Sequence, residues 1–146
     1  MNIKLSYPLK YASIFSIVTA LVAIKITAFS QGGWENLWIY TSSSAFIVCY
    51  VSSYFLIAKK ENYTNFRLFF VAIFIALFSH WIFWYGFLVF GYFESIVQGY
   101  GPDSNTINPL DGLYIAIVYS FLSLFFFGWI SIPVSIFLSF FLKPQR

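Results

Sequence analysis

The chain has 146 residues, of which 60% are hydrophobic, 25% aromatic and only 9% charged, and its mean hydropathy is +0.80. An average globular chain is about 25% charged, so eight Lys and Arg with five Asp and Glu cannot cover a body of this size in water. Lipid must solvate most of the surface, which excludes a disordered chain, a disulfide-rich secreted domain and an ordinary soluble enzyme.

Crossing about 30 Å of hydrocarbon takes roughly 20 apolar residues at 1.5 Å each. Four segments qualify, at 11–29, 37–58, 66–93 and 113–142, and nothing between them is long enough to fold separately. The expected fold is all-α, a single domain over 1–146 with four transmembrane helices in an antiparallel up-down bundle. The first segment follows Lys4 and Lys10 like a signal peptide, but no convincing small-x-small cleavage site comes after it, so it reads as an uncleaved first helix.

Lys4 and Lys10 precede the first span, Lys59, Lys60 and Arg67 join the second to the third, and Lys143 and Arg146 follow the fourth. The other two connections contain no Lys or Arg. They carry Glu35, Glu94, Asp103 and Asp111 instead. By the positive-inside rule both termini are cytoplasmic, which implies a multi-pass protein of the cell (inner) membrane. The outer loop 94–112 is rich in Gly, Pro and Asn, a composition that argues against regular structure. Basic residues at helix ends, not on one face, leave no surface for nucleic acid.

Helices solvated by lipid associate through small side chains and hydrogen bonds. Such stripes run along the first helix (Ser13, Ser16, Ala20, Ala23, Thr27), the second (Ser42, Ala45, Cys49, Ser52, Ser53) and the third (Ala72, Ala76, Ser79, Gly86). On the fourth, Ala116, Ser120 and Ser123 share one face, whereas Gly128, Ser131, Ser135 and Ser139 lie about 100° round from it. Pro133 removes a backbone hydrogen bond near that change and Gly128 weakens the turn before it, which predicts a kink and a candidate hinge at Gly128 and Pro133.

His80, the only histidine, falls in the middle of the third span, where ionisable groups are rare and face the bundle interior. Residue counting from each membrane edge puts Thr19 and Trp129 at similar depth, and Trp81, Trp84 and Tyr85 follow His80 along its own helix. These six form a candidate intramembrane polar and aromatic site. Its plainest reading is a histidine hydrogen-bonded to Thr19 or to a backbone carbonyl among packed aromatics. Tyr7, Tyr11, Tyr54 and Tyr63 fit an inner interfacial belt, and Trp34, Trp38, Tyr92, Tyr100 and Tyr114 an outer one. Lys25 points away from the small stripe and lies near the outer end of its helix, so it snorkels to the headgroups or pairs with an acid. With Glu94, Asp103 and Asp111 it makes up the candidate external contacts.

Absences narrow the chemistry. A bis-histidine haem, a quinone-linked disulfide exchanger and a zinc site each need more His or Cys than this chain has, so no metal or cofactor is expected. No Asp or Glu lies within a predicted span to drive proton-coupled export, and no acid stands by to orient His80 as a base. The expectation is therefore not an enzyme but an interaction protein. It would be an accessory subunit of a membrane complex, or an immunity or inhibitor protein against a membrane-inserting partner, with the lipid bilayer, another membrane protein or a second copy of itself as partner. In size, number of spans and orientation the chain resembles immunity proteins against pore-forming bacteriocins, a likeness of architecture without a shared motif. The alternative is an oligomeric small-molecule or ion transporter or channel built around His80, with the outer end of the second helix (Thr41 to Ser44) as its mouth.

Overall fold

The computed structural model describes residues 3–29, 36–59, 64–99 and 107–143. All regular structure in them is helical: α1 (Ile3–Phe29), α2 (Leu37–Ser53) running on into a π-helical stretch (Tyr54–Ala58), α3 (Asn65–Val97) and α4 (Pro109–Phe141). Four helices, with α2 and its π extension counted as one, are long and apolar enough to cross a membrane. A helix satisfies its own backbone hydrogen bonds, so an apolar sequence of this length has few other folds open to it in hydrocarbon.

The helices overrun the spans expected from hydropathy. α1 begins at Ile3, eight residues before position 11, with Pro8 buried inside it. α3 and α4 have 33 residues each, roughly 50 Å at 1.5 Å per residue and well beyond the hydrocarbon thickness. Residues 94–97 and 109–112, expected in an irregular outer loop, are thus helical. Caps explain the ends. The Thr64 hydroxyl accepts the Arg67 N–H at 3.2 Å. The Asn108 side chain accepts the N–H groups of Leu110 and Asp111 at 2.9 and 3.0 Å, with Pro109 in the first helical position, where its missing N–H costs nothing.

Helices adjacent in sequence pack along much of their length, α1 touches α4 sparsely, and α2 and α4 share no close backbone approach among the described residues. The core lies toward one end of the helices. Tyr7, Tyr11 and Phe15 of α1 meet Ala45 and Cys49 of α2, Ile57 of the π stretch, Leu68, Val71 and Ile75 of α3 and Leu138 of α4. Tyr7 and Tyr11, expected as interfacial anchors, are only 4% and 0% exposed. The reason is a polar junction. Tyr11 donates to the Ser135 carbonyl at 2.8 Å and lies 2.7 Å from the Ser135 hydroxyl, which in turn donates to the Ala72 carbonyl at 2.8 Å. One serine therefore joins α1, α3 and α4. A turn further along, Ser139 reaches the Leu68 carbonyl at 3.2 Å, and Lys143 donates to Asn65 at 2.9 Å.

The small-residue stripes on α2 and α4 are buried except at Ser42 and Ser131, which are half-buried. Ser44, Ala45, Val48, Cys49, Ser52 and Ser53 are buried on α2. On α4 the buried set passes from Gly112, Ala116, Ser120 and Ser123 to Gly128, Ser135, Leu138 and Ser139. Of the α1 stripe only Ala23 is buried, because aromatic side chains do the packing there, and Gly86 of α3 is exposed. α4 continues as one helix through Gly128 and Pro133, and the proline lies on the exposed side.

Candidate functional site

His80 points at α4. Its Nδ1 is 2.8 Å from the Ser123 hydroxyl and its Nε2 is 3.1 Å from the Ser131 hydroxyl. Ser123 donates its own hydrogen to the Ser120 carbonyl at 3.1 Å, so toward the ring it acts as acceptor. That arrangement selects the Nδ1–H tautomer, with Ser131 donating to Nε2. Both ring nitrogens are satisfied within the chain. Ser123 and Ser131 are two turns apart, about 12 Å along a straight helix, so the imidazole ties together stretches of α4 on either side of Gly128.

Neither expected partner, Thr19 or a backbone carbonyl, holds His80; Thr19 spends its hydroxyl on the Ser16 carbonyl of its own helix at 2.9 Å. It meets His80 only across a shared cavity of about 330 Å³, within the range of about 300–1,000 Å³ usual for small-molecule sites. Each helix contributes to the wall. α1 supplies residues from Phe15 to Thr27, α2 supplies Leu37, Thr41, Ser44 and Ala45, α3 supplies Ala76, Ser79, His80, Phe83 and Trp84, and α4 supplies Ser123, Phe127, Ile130, Ser131 and Val134. The α2 and α3 side is the floor, where Ser44, Ala45, Ala76, Ser79 and Phe83 are all buried. The cavity is only partly enclosed, and of the neighbouring helices α1 and α4 are the least closely packed, their hydrogen-bonded junction, Tyr11 with Ser135, sitting at the core end.

The other expected members divide. Trp84 lines the cavity and packs on Tyr119, with ring centres 5.0 Å apart. Trp81 stands outside it, stacked with Tyr85 at 6.0 Å. The indole N–H groups of both Trp81 and Trp84 are buried without an acceptor, a rare condition for a polar group. Trp129 is not brought to the site. It is 72% exposed and its indole N–H turns back to the Phe126 carbonyl of its own helix. Depth counting placed it level with His80, but depth says nothing about direction round the helix.

The candidate external contacts do not assemble either. Lys25 is exposed and makes no ion pair among the described residues. Glu94 accepts from Gln98 at 3.2 Å, and Asp111 accepts from the Asn108 cap at 2.6 Å, where a carboxylate also suits the helix N-terminus. Asp103 lies outside the described residues.

Sequence reasoning missed the pairing of His80 with Ser123 and Ser131. The signal was there in part, since both serines belong to the α4 small-residue faces and Ser131 lies near the depth counted for His80. Comparison with known proteins adds no relative: no protein-family model matches the chain, and neither a curated protein nor a solved structure is significantly similar to it.

Proposed function

We propose that this is a small multi-pass protein of the cell membrane that acts by binding a partner inside the bilayer, as an accessory subunit or as an inhibitor of a membrane-inserting protein. In this reading its helices run alternately up and down as one domain, with both termini cytoplasmic. Catalysis and vectorial transport are not its work.

One observation carries the reading. The hydrogen of every hydroxyl in the wall of the central cavity is already donated, either to a carbonyl of its own helix, as for Thr19, Thr27, Thr41, Ser44, Ser79 and Ser123, or to His80, as for Ser131. A pathway for ions or polar solutes needs groups free to replace water around the solute. A general base needs an acid or carbonyl to orient it toward substrate, and here both ring nitrogens are committed to serines. What the molecule offers instead is an aromatic surface within the membrane, including Phe121, Phe125 and Trp129 of α4, each more than two-thirds exposed.

The test is purification from the native source in a mild detergent, with identification of what copurifies. A stable, stoichiometric membrane partner is the expected result. Purification as a lone species that drives solute flux in proteoliposomes, with the flux lost on His80→Ala, would overturn it. A reporter fused after Arg146 should be active only on the cytoplasmic side.

A further inference from the structure

We infer that the central cavity is a binding site for a lipid hydrocarbon chain, which enters sideways from the bilayer between α1 and α4. This goes beyond partner binding and does not depend on it.

The argument begins with the wall. With its hydroxyls turned into their own helices or onto His80, the cavity presents methyl, methylene and ring carbon to its contents, together with the side chains of Val22, Ile26, Phe83, Ile130 and Val134. A ligand with several hydrogen-bonding groups would lose its water partners and regain few, at a cost of about 1–3 kcal/mol for each left unpaired. An apolar chain loses nothing by entering.

The looser helix pair selects the source. Three of the four neighbouring helix pairs are closely packed and only α1 with α4 is not, so a chain entering sideways meets the least packing there. The outer faces of both helices are apolar and exposed, with Ile17, Leu21 and Ile24 on α1 and Phe126 and Phe127 on α4. In a membrane those faces meet hydrocarbon. An open apolar void beside fluid acyl chains lacks contact atoms on one side, and an acyl chain supplies them without having to be desolvated. At about 330 Å³ the space is too small for a helix of about 10 Å diameter, but it suits a single flexible chain.

The test uses the full chain reconstituted in bilayers that contain a phosphatidylcholine with a photoactivatable diazirine in one acyl chain. After irradiation, the modified residues are mapped by mass spectrometry. Ser44, Ser79 and Phe83 are each under a tenth exposed and border the cavity, so bulk lipid does not reach them from outside. Label on them, beside label on the outward Phe125 and Phe137, is the expected result.

Thr19→Phe and Ile130→Trp, at half-buried cavity positions without interhelical hydrogen bonds, should abolish label on the floor and leave it on Phe125 and Phe137. Protection of the buried Cys49 from a thiol reagent confirms that each variant is folded. Three outcomes overturn the proposal: an unlabelled floor in the wild-type protein while the outer surface is labelled, floor labelling that survives both fillings in folded variants, or crosslinks from the floor to a second polypeptide in place of lipid.

Discussion

The Tyr11–Ser135–Ala72 junction offers the sharpest test of how this bundle is held together. Tyr11→Phe keeps the ring in its place between Tyr7 and Phe15, whose centres lie 5.9 and 6.3 Å away, and removes only the hydroxyl that reaches Ser135. Interhelical side-chain hydrogen bonds in membranes average about 0.6 kcal/mol and reach about 1.7. Because Tyr11 is wholly buried and has two acceptor atoms on one residue, the expected loss lies in the upper part of that range, a roughly 5- to 16-fold fall in the folding equilibrium constant. Ser135→Ala should cost more, since it also removes the bond to the Ala72 carbonyl. In the double variant the two losses should fall short of additive by about 0.5 kcal/mol or more, the signature of groups in direct contact.

Cys49 provides the assay. It is the only cysteine, is 0% exposed and belongs to the same core as Tyr11, so its thiol labels only when that core opens. The midpoint of labelling against the mole fraction of a denaturing detergent gives each free-energy difference. A Tyr11→Phe protein within about 0.2 kcal/mol of wild type, or strict additivity in the double variant, would refute the reasoning.

Further outcomes follow from other sites. Gly128→Ala should fold and be as stable as the wild type or up to about 1 kcal/mol more so, because the nearest atoms the added methyl meets are those of Leu124 and Ile132 of its own helix, at 3.4 Å or more; loss of folding in the Cys49 assay would show that the glycine serves a close approach. Nitrogen NMR of labelled His80 should show the proton on Nδ1, and Ser131→Ala should change the Nε2 resonance more than that of Nδ1; a proton on Nε2 would reverse the assigned donor and acceptor roles. Asn108→Ala should destabilise the start of α4 by about 1 kcal/mol, measured as faster amide exchange at Leu110 and Asp111 with the core unaffected.

Much of the architecture can be read from composition alone. Four apolar runs of sufficient length must be helical once lipid surrounds them, because hydrocarbon offers the backbone no other partner. The helix ends were less legible, although the signs were local. Asn108 before Pro109, with an acid two residues further on, is a helix start that a hydropathy window does not register.

The site was legible in depth but not in direction. Residue counting put His80 at mid-span, a depth at which an ionisable group is expected to face the interior, and the structure places it at the α3–α4 contact. The count also brought in Trp129, which faces outward, and named Thr19 as the partner, although that hydroxyl stays on its own helix. A wheel gives the angle of a side chain about its own axis, but says nothing about which neighbour stands there or how near it comes. A serine in a membrane helix chooses between its own carbonyl one turn back and a group on another helix. The distance between the helices decides the choice. Ser79 and Ser120 stayed at home, Ser123 gave its hydrogen to its own helix while accepting from His80, and Ser131 and Ser135 reached across.

The sequence by itself determined that the chain is helical, that four of its helices can cross a membrane, and that almost no charge is left for chemistry inside them. Those are properties of segments, set by composition and length. Only the tertiary structure decided that two tyrosines seal the core, that His80 is held by two serines of α4, and that α1 and α4 part to leave an apolar cavity. Each of these depends on the spacing and rotation of one helix against another, and small side chains along every helix permit many such arrangements before packing selects one.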